Sequence, residues 1–238
     1  MLQVELRKLW GSFALLLTLV LPFLPAVLVL LAMLVSRDAP SWRNLFDRFT
    51  LPLWGLFLFP MGLAAFTTSL AQVEYRTNAW EHLLALPIPK WHVFLTKAFF
   101  ANGAAILMTG LVVLLAWLAG LAGGWITGRF PAGDVPWQHL ASIGGAFLAS
   151  SLGLVVIQLW VALRFANFAV PLALGISGTL VALAVTITGT SKADWFPWVL
   201  PAKMLTGAHA DHFPSMAVVV GLALLLGMIV DLCRHNFR

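Results

Sequence analysis

Charge is the scarcest property of this sequence. Of its 238 residues, only 10% are Asp, Glu, Lys or Arg, well under half of the roughly 25% usual in a globular domain. So few charges cannot cover the surface of a water-soluble domain. Disorder is excluded too, because 61% of the residues are hydrophobic, far too many for a chain that fails to bury apolar surface. Cysteine occurs once, at Cys233, so neither an internal disulfide nor a cysteine metal site can be built. No G-x-x-x-x-G-K-[ST] stretch is present, and neither H-E-x-x-H nor G-x-S-x-G occurs, so the motifs for nucleotide, zinc-protease and esterase chemistry are all missing. The net charge of +5 comes from Lys and Arg scattered singly at the ends of apolar runs. Without a basic face or stripe it does not read as a nucleic-acid surface.

What the chain does have is long apolar runs. Six of them, separated by short polar segments, fall at 13–35, 51–71, 98–122, 140–163, 168–188 and 213–230. A helix needs about 20 apolar residues to cross a bilayer, and the sixth run is the shortest. The expected fold is therefore all-α: a polytopic membrane protein with six transmembrane helices in a single transmembrane domain, 1–238. The first run is read as a retained anchor, being too long for a signal-peptide core and lacking a small-residue cleavage site after it. Pro22 and Pro25 should kink it, whereas Pro171 falls in a first turn, where proline is tolerated. Most of the 11 tryptophans, among them Trp10, Trp42, Trp125, Trp137, Trp195 and Trp198, lie near run ends, the aromatic-belt pattern of headgroup depth. Small residues form two rows in the fourth run, Ser142, Ala146 and Ser150 beside Gly145, Ala149 and Gly153. Such rows let helices approach closely, within the subunit or at a seam between subunits.

The runs carry neutral polar groups, such as Thr67, Thr68, Asn102, Gln158 and Thr179, and no ionisable group at depth. Proton relays and ion pumps are normally marked by intramembrane charge, so a gradient-driven carrier is disfavoured, although Na⁺ sites made from carbonyls stay open. If the chain does vectorial work, the energy arrives through another polypeptide. His209, Asp211 and His212 share one loop but lack the helix-borne spacing of a metal site. No metal site and no catalytic residue is expected. The alternatives to ATP-driven transport are an ion-gradient-driven carrier and a non-transport scaffold or membrane enzyme.

The polar segment from Glu74 to Lys97 is the most informative. Trp80, Leu83, Leu84 and Pro87 fall at i, i+3, i+4 and i+7, one face of a helix. Asn78, Glu81, His82 and Ala85 occupy the opposite face. Pro87 and Pro89 should stop that helix so that the third span starts anew. A short amphipathic helix over about 74–86 is expected along the membrane surface. It is either a loop helix without a partner or a mechanical contact for a cytosolic motor. With both termini cytoplasmic, Lys and Arg divide eight inside to six outside, a weak vote by the positive-inside rule.

An acidic residue closing the second span, then Trp, Leu-Leu, Pro and a Lys opening the third, resembles the membrane subunit of type-2 ABC (ATP-binding cassette) exporters. The matching residues are Glu74, Trp80, Leu83, Leu84, Pro87 and Lys97. Within that family the chain is most similar to the permeases of lantibiotic (bacteriocin) immunity transporters, which often carry an aromatic-Pro-Trp…Pro stretch before the last span. Here that stretch is Trp195, Phe196, Pro197, Trp198 and Pro201. The resemblance implies a coupling helix at 74–86, with Glu74, Asn78, Trp80, Glu81, Leu83, Leu84 and Pro87 docking into an ABC ATPase subunit. It implies an amphipathic elbow helix at 1–10, where Leu2, Leu6 and Leu9 share one face. It makes 190–212 an external segment, either re-entrant or an ordinary loop. It further implies two ATPase copies holding ATP and Mg²⁺, no cofactor on this chain, and a second permease, the same chain or a homologue. Placement in the bacterial inner membrane among lipids, with both termini cytoplasmic, completes the expectation. The low charge of the loop and the Ala-, Leu- and Trp-rich composition depart from the lantibiotic pattern and bear on cargo, expected to be an antimicrobial peptide or lipid-like molecule.

Overall fold

The computed structural model describes residues 13–76, 80, 89–205 and 213–235. The expected elbow helix at 1–10, most of the expected coupling helix at 74–86 and the loop carrying His209 and His212 lie outside the described residues. The described residues form helices and no strand, and six of those helices are long and apolar enough to cross a membrane. The chain is an all-α polytopic membrane protein.

The first span is two helices, α1 (Phe13–Val20) and α2 (Phe23–Val35). The break falls at Leu21 and Pro22, with Pro22 capping α2. Pro25 sits in the first turn of α2, where its missing N–H has no intrahelical acceptor to lose. After a turn, α3 (Trp42–Arg76) runs as one continuous helix, opened by Ser41, whose hydroxyl accepts from the Asn44 N–H at 3.2 Å. The helix begins nine residues before the expected Leu51. Arg43 and Asp47 delayed the sequence-based boundary, yet they pair with each other at 3.2 Å one turn apart on an exposed face.

Two stretches of α3, Leu45–Thr50 and Trp54–Leu58, are wound as π-helix. Each precedes a proline by two residues, Pro52 and Pro60. An interior proline cannot donate to the carbonyl four back and crowds it; widening the preceding turn relieves both problems. The Thr50 hydroxyl donates to the Leu45 carbonyl at 3.0 Å, five residues back.

Helix α4 (Lys90–Thr127) also outruns its apolar segment, starting eight residues before Ala98. Its N-terminal boundary is Pro89, with an extended ψ of 128°, as the proline signals predict. Gly128 ends it at φ +69°, a left-handed cap that glycine adopts without strain. Then follow α5 (Trp137–Arg164), α6 (Ala169–Thr188), a short α7 (Val199–Leu205) and α8 (Phe213–Arg234).

Small residues set the helix approaches, as expected inside a membrane, where packing rather than water drives association. A Cβ on Gly175 of α6 would lie 2.3 Å from the Ala64 Cβ of α3. One on Gly123 of α4 would lie 2.5 Å from the Met33 Cβ of α2. Helix α8 lies along α5, with Gly221 facing Leu152. At the centre, Trp54 meets Phe59 edge to face at 5.7 Å, and Phe59 meets Phe147 at 4.8 Å. The Trp54 indole N–H donates to the Thr109 hydroxyl at 3.3 Å. The aromatic stack thus joins α3 to α5, and the indole hydrogen bond ties it to α4. The outward faces are apolar, with Ile106, Leu118, Leu180 and Leu226 exposed, as a lipid-facing exterior demands.

Candidate functional site

The C-terminal end of α3, the N-terminal end of α4 and the C-terminal end of α5 meet at one end of the bundle. They flank the polar segment that the sequence singles out. Glu74, in the last turn of α3, and Lys97, two turns into α4, form a salt bridge at 2.8 Å, with side chains 1% and 0% exposed. Both residues lie just outside the apolar runs 51–71 and 98–122, at the loop end of the bundle, yet they are fully buried between two spanning helices. Mutual neutralisation makes this tolerable, because an isolated buried charge costs several kcal/mol more than a paired one.

Trp80 covers the pair. Its ring centroid lies 5.9 Å from the Lys97 ammonium, within cation–π range. It also meets Tyr75 edge to face at 5.6 Å and Phe94 at 6.3 Å. The Tyr75 hydroxyl donates to the Leu163 carbonyl at 2.6 Å, and the Gln72 amide donates to the Ala166 carbonyl at 2.8 Å. These bonds tie α3 to the end of α5 and the turn into α6. Both stalks of the 77–88 segment are thus clamped to each other and to a third helix.

Of the residues expected to contact an ATPase, Glu74 and Trp80 are brought together here, with Glu74 inside α3 rather than opening a separate helix. Asn78, Glu81, Leu83, Leu84 and Pro87 lie outside the described residues. Tyr75, Gln72 and Phe94 were not singled out from the sequence. Tyr75 could have been, as the single tyrosine in the chain placed one residue after the key acid.

The same end holds a second polar group. The Trp160 indole N–H donates to the Asp231 carboxylate at 2.8 Å, and the Arg164 guanidinium pairs with Asp231 at 3.5 Å. The Arg164 guanidinium also lies against Nδ1 of His235. Burial chiefly, and then the Arg164 charge, push the His235 pKa below the usual histidine value, against a smaller opposing effect of Asp231. The unfolded chain then binds the proton more readily, so this contribution to stability is complete above the usual histidine range and falls away as pH drops through it. The thermal midpoint is expected to fall from pH 7.5 to pH 5.5 by more in the parent chain than in His235→Gln. Equal falls in the two proteins would remove His235 as the cause.

At the opposite end, the described part of the expected external segment folds back onto the bundle. Trp195 is exposed, while Trp198, Val199, Pro201 and Ala202 are buried. Pro197 separates Phe196 from Trp198 in the chain, and the Trp198 ring stacks on Phe196 at 5.3 Å. Its indole lies against Gly178 of α6, where a Cβ would approach it to 2.5 Å. Gly178 is ten residues from the helix end at Thr188, or about 15 Å at 1.5 Å per residue. The segment therefore reaches halfway down α6, and Leu205 of α7 packs against Gly55 of α3.

No group of three or more His, Cys, Asp or Glu able to hold a metal occurs among the described residues. In comparison with known proteins, the family described as "ABC-2 family transporter protein" matches residues 1–182. No curated protein and no solved structure matches the chain.

Proposed function

This chain belongs to the ABC-2 family of transporter proteins and is a membrane subunit of an ABC transporter, and on that premise we propose that it is an exporter permease driven through the 74–86 segment. The observation that carries this reading is the buried Glu74–Lys97 pair under Trp80. It makes one rigid foot out of the two helices that flank the loop. A force applied to the loop then moves α3 and α4 together instead of bending the connection, which a flexible linker could not achieve.

Two ATPase subunits, holding ATP and Mg²⁺ between them, close on nucleotide binding and push the segment containing Asn78, Glu81, Leu83, Leu84 and Pro87. A second permease, the same chain or a homologue, completes the pathway. The loop and both termini face the cytoplasm of a bacterial inner membrane. The cargo is apolar or amphipathic, an antimicrobial peptide or lipid-like molecule, because the buried charge is self-neutralised and sits at the loop end. A strongly charged solute would meet a steep desolvation cost on such walls.

The test combines topology and binding. In a Cys233→Ser background, Asn78→Cys is expected to react with a membrane-impermeant maleimide only in inside-out vesicles. Leu83→Asp with Leu84→Asp is expected to cut copurified ATPase by about tenfold or more, as charge placed in an apolar contact does. Labelling of position 78 from outside intact cells, or undiminished ATPase, overturns the proposal.

A further inference from the structure

A cavity of about 230 Å³ opens between α5, α8 and the segment that leads into α7. Its floor is Ser150 and Gly153, members of the two small-residue rows whose sequence reading was helix packing. Beside that packing they also leave room, since the nearest atom to a Cβ on Gly153 would be the Leu224 side chain at 3.6 Å, an ordinary contact. The α8 wall runs over residues 216–224, nine residues that rise about 12 Å along the helix. Met216 and Val220 on that wall are largely exposed on the outer face of the bundle, so the cavity communicates with whatever surrounds the protein. At depth its lining is apolar. The one polar side chain there is Ser150, which is 2% exposed and whose hydroxyl has no hydrogen-bond partner among the described residues.

The mouth is different in chemistry. Asp194 lines it, paired with Lys203, and Trp195 stands exposed beside it. A carboxylate, an ammonium and an amphipathic ring mark headgroup depth. The other end, at Gly153 and Leu224, lies near the middle of α5 and α8. The cavity therefore runs along the membrane normal, from a polar edge to the hydrocarbon centre.

Water does not suit this space, because an ordered water needs two to four polar partners and the depth offers one. A sealed apolar cavity of about 150 Å³ takes up benzene; this one is larger, elongated and open to fluid hydrocarbon. We propose that it is a binding site for one acyl chain of a bilayer phospholipid, with the headgroup held at the mouth. The Asp194–Lys203 pair is neutral overall and offers one charge of each sign. That complements a zwitterionic head, its cationic group toward Asp194 and its phosphate toward Lys203, better than a net anionic one. The site serves a resident lipid and does not depend on how the permease is powered.

The experiment uses the full chain in nanodiscs without any ATPase, so its outcome is separate from that of the coupling test. The probe is a phosphatidylcholine with a diazirine in one acyl chain. After irradiation, labelling of the 216–224 peptide is expected to exceed that of the exposed α4 face at Ile106 and Leu118 by about tenfold, the ratio that a preference of roughly 1.4 kcal/mol gives. Gly153→Leu, which fills the floor, and Val220→Trp, which fills the cavity from its exposed side, are each expected to abolish that excess with an unchanged thermal midpoint. The second variant changes a surface residue, so it keeps the test open if the first fails to fold. Equal labelling of the two faces, an excess that survives Val220→Trp, or efficient disulfide cross-linking of Val220→Cys between two copies with no lipid label would overturn the proposal. A phosphatidylglycerol probe labelling equally well would overturn the headgroup assignment.

Discussion

Lys97→Met is expected to destabilise the folded chain by about 3–5 kcal/mol, the usual cost of leaving one member of a buried ion pair without the other. The Glu74 carboxylate is 1% exposed and cannot turn to water without opening the contact between α3 and α4. The effect should be far larger than that of Arg43→Ala, which removes an ion pair whose members are 70% and 35% exposed and worth about 1 kcal/mol or less. The decisive comparison is the double variant Glu74→Leu with Lys97→Met. Replacing both partners with apolar groups is often neutral or even stabilising, so most of the lost stability should return. Unfolding in detergent, followed by heat or denaturant, measures all of these variants. If the single and double replacements are equally unstable, the pair is not what holds the two helices together. ATPase stimulation by the double variant then asks whether the clamp needs charge or only contact.

Trp198→Ala is expected to cost a similar amount, about 3–5 kcal/mol, as other large-to-small replacements of buried aromatics do. The indole is 4% exposed and fills the notch at Gly178. Its removal leaves a void that α6 cannot close, because the neighbouring wall is a regular helix. The loss is mostly of dispersion contacts. Gly178→Val attacks the same seat from the other side, placing a Cβ where the ring now stands. Both variants should lift the 190–205 segment off the bundle, detected as faster modification of an added Met204→Cys in a Cys233→Ser background. ATPase copurification should persist in both, because the seat at Gly178 lies nine residues into α6, about 13 Å from the end where Glu74 and Lys97 pair. Unchanged reactivity at position 204 in both variants would mean that the segment is held by something else.

The number of crossings was legible in the sequence, because apolar length is a direct requirement of the bilayer. Helix limits were less so, for one reason that recurs. A charge counted singly marks the edge of the membrane, whereas a charge counted with its partner does not. Arg43 and Asp47 concealed the first turns of α3, and Lys97 concealed the first two turns of α4. Glu74 and Lys97 were both singled out as motif residues, yet their pairing spans 23 positions and depends on how two helices meet. Nothing in the local sequence ties Trp80 to this pair, although its ring covers the Lys97 ammonium. The seat of Trp198 at Gly178 was beyond reach, since nothing in either local stretch refers to the other. The π-wound turns were foreshadowed by Pro52 and Pro60, whose missing N–H groups required some rearrangement upstream.

The length of α4 has a mechanical consequence. At 38 residues it rises about 57 Å, nearly twice the roughly 30 Å of a hydrocarbon core. It either leans or stands proud of the bilayer, and its foot is the end bound to Glu74. Pivoting a straight rod of that length about its midpoint by about five degrees would sweep each tip through about 2.5 Å. A displacement at the foot no larger than a side chain's width would then be returned, reversed in direction, at the far tip beside Trp125. The longest helix has the proportions of a balance beam, and whatever grips its lower end need travel very little.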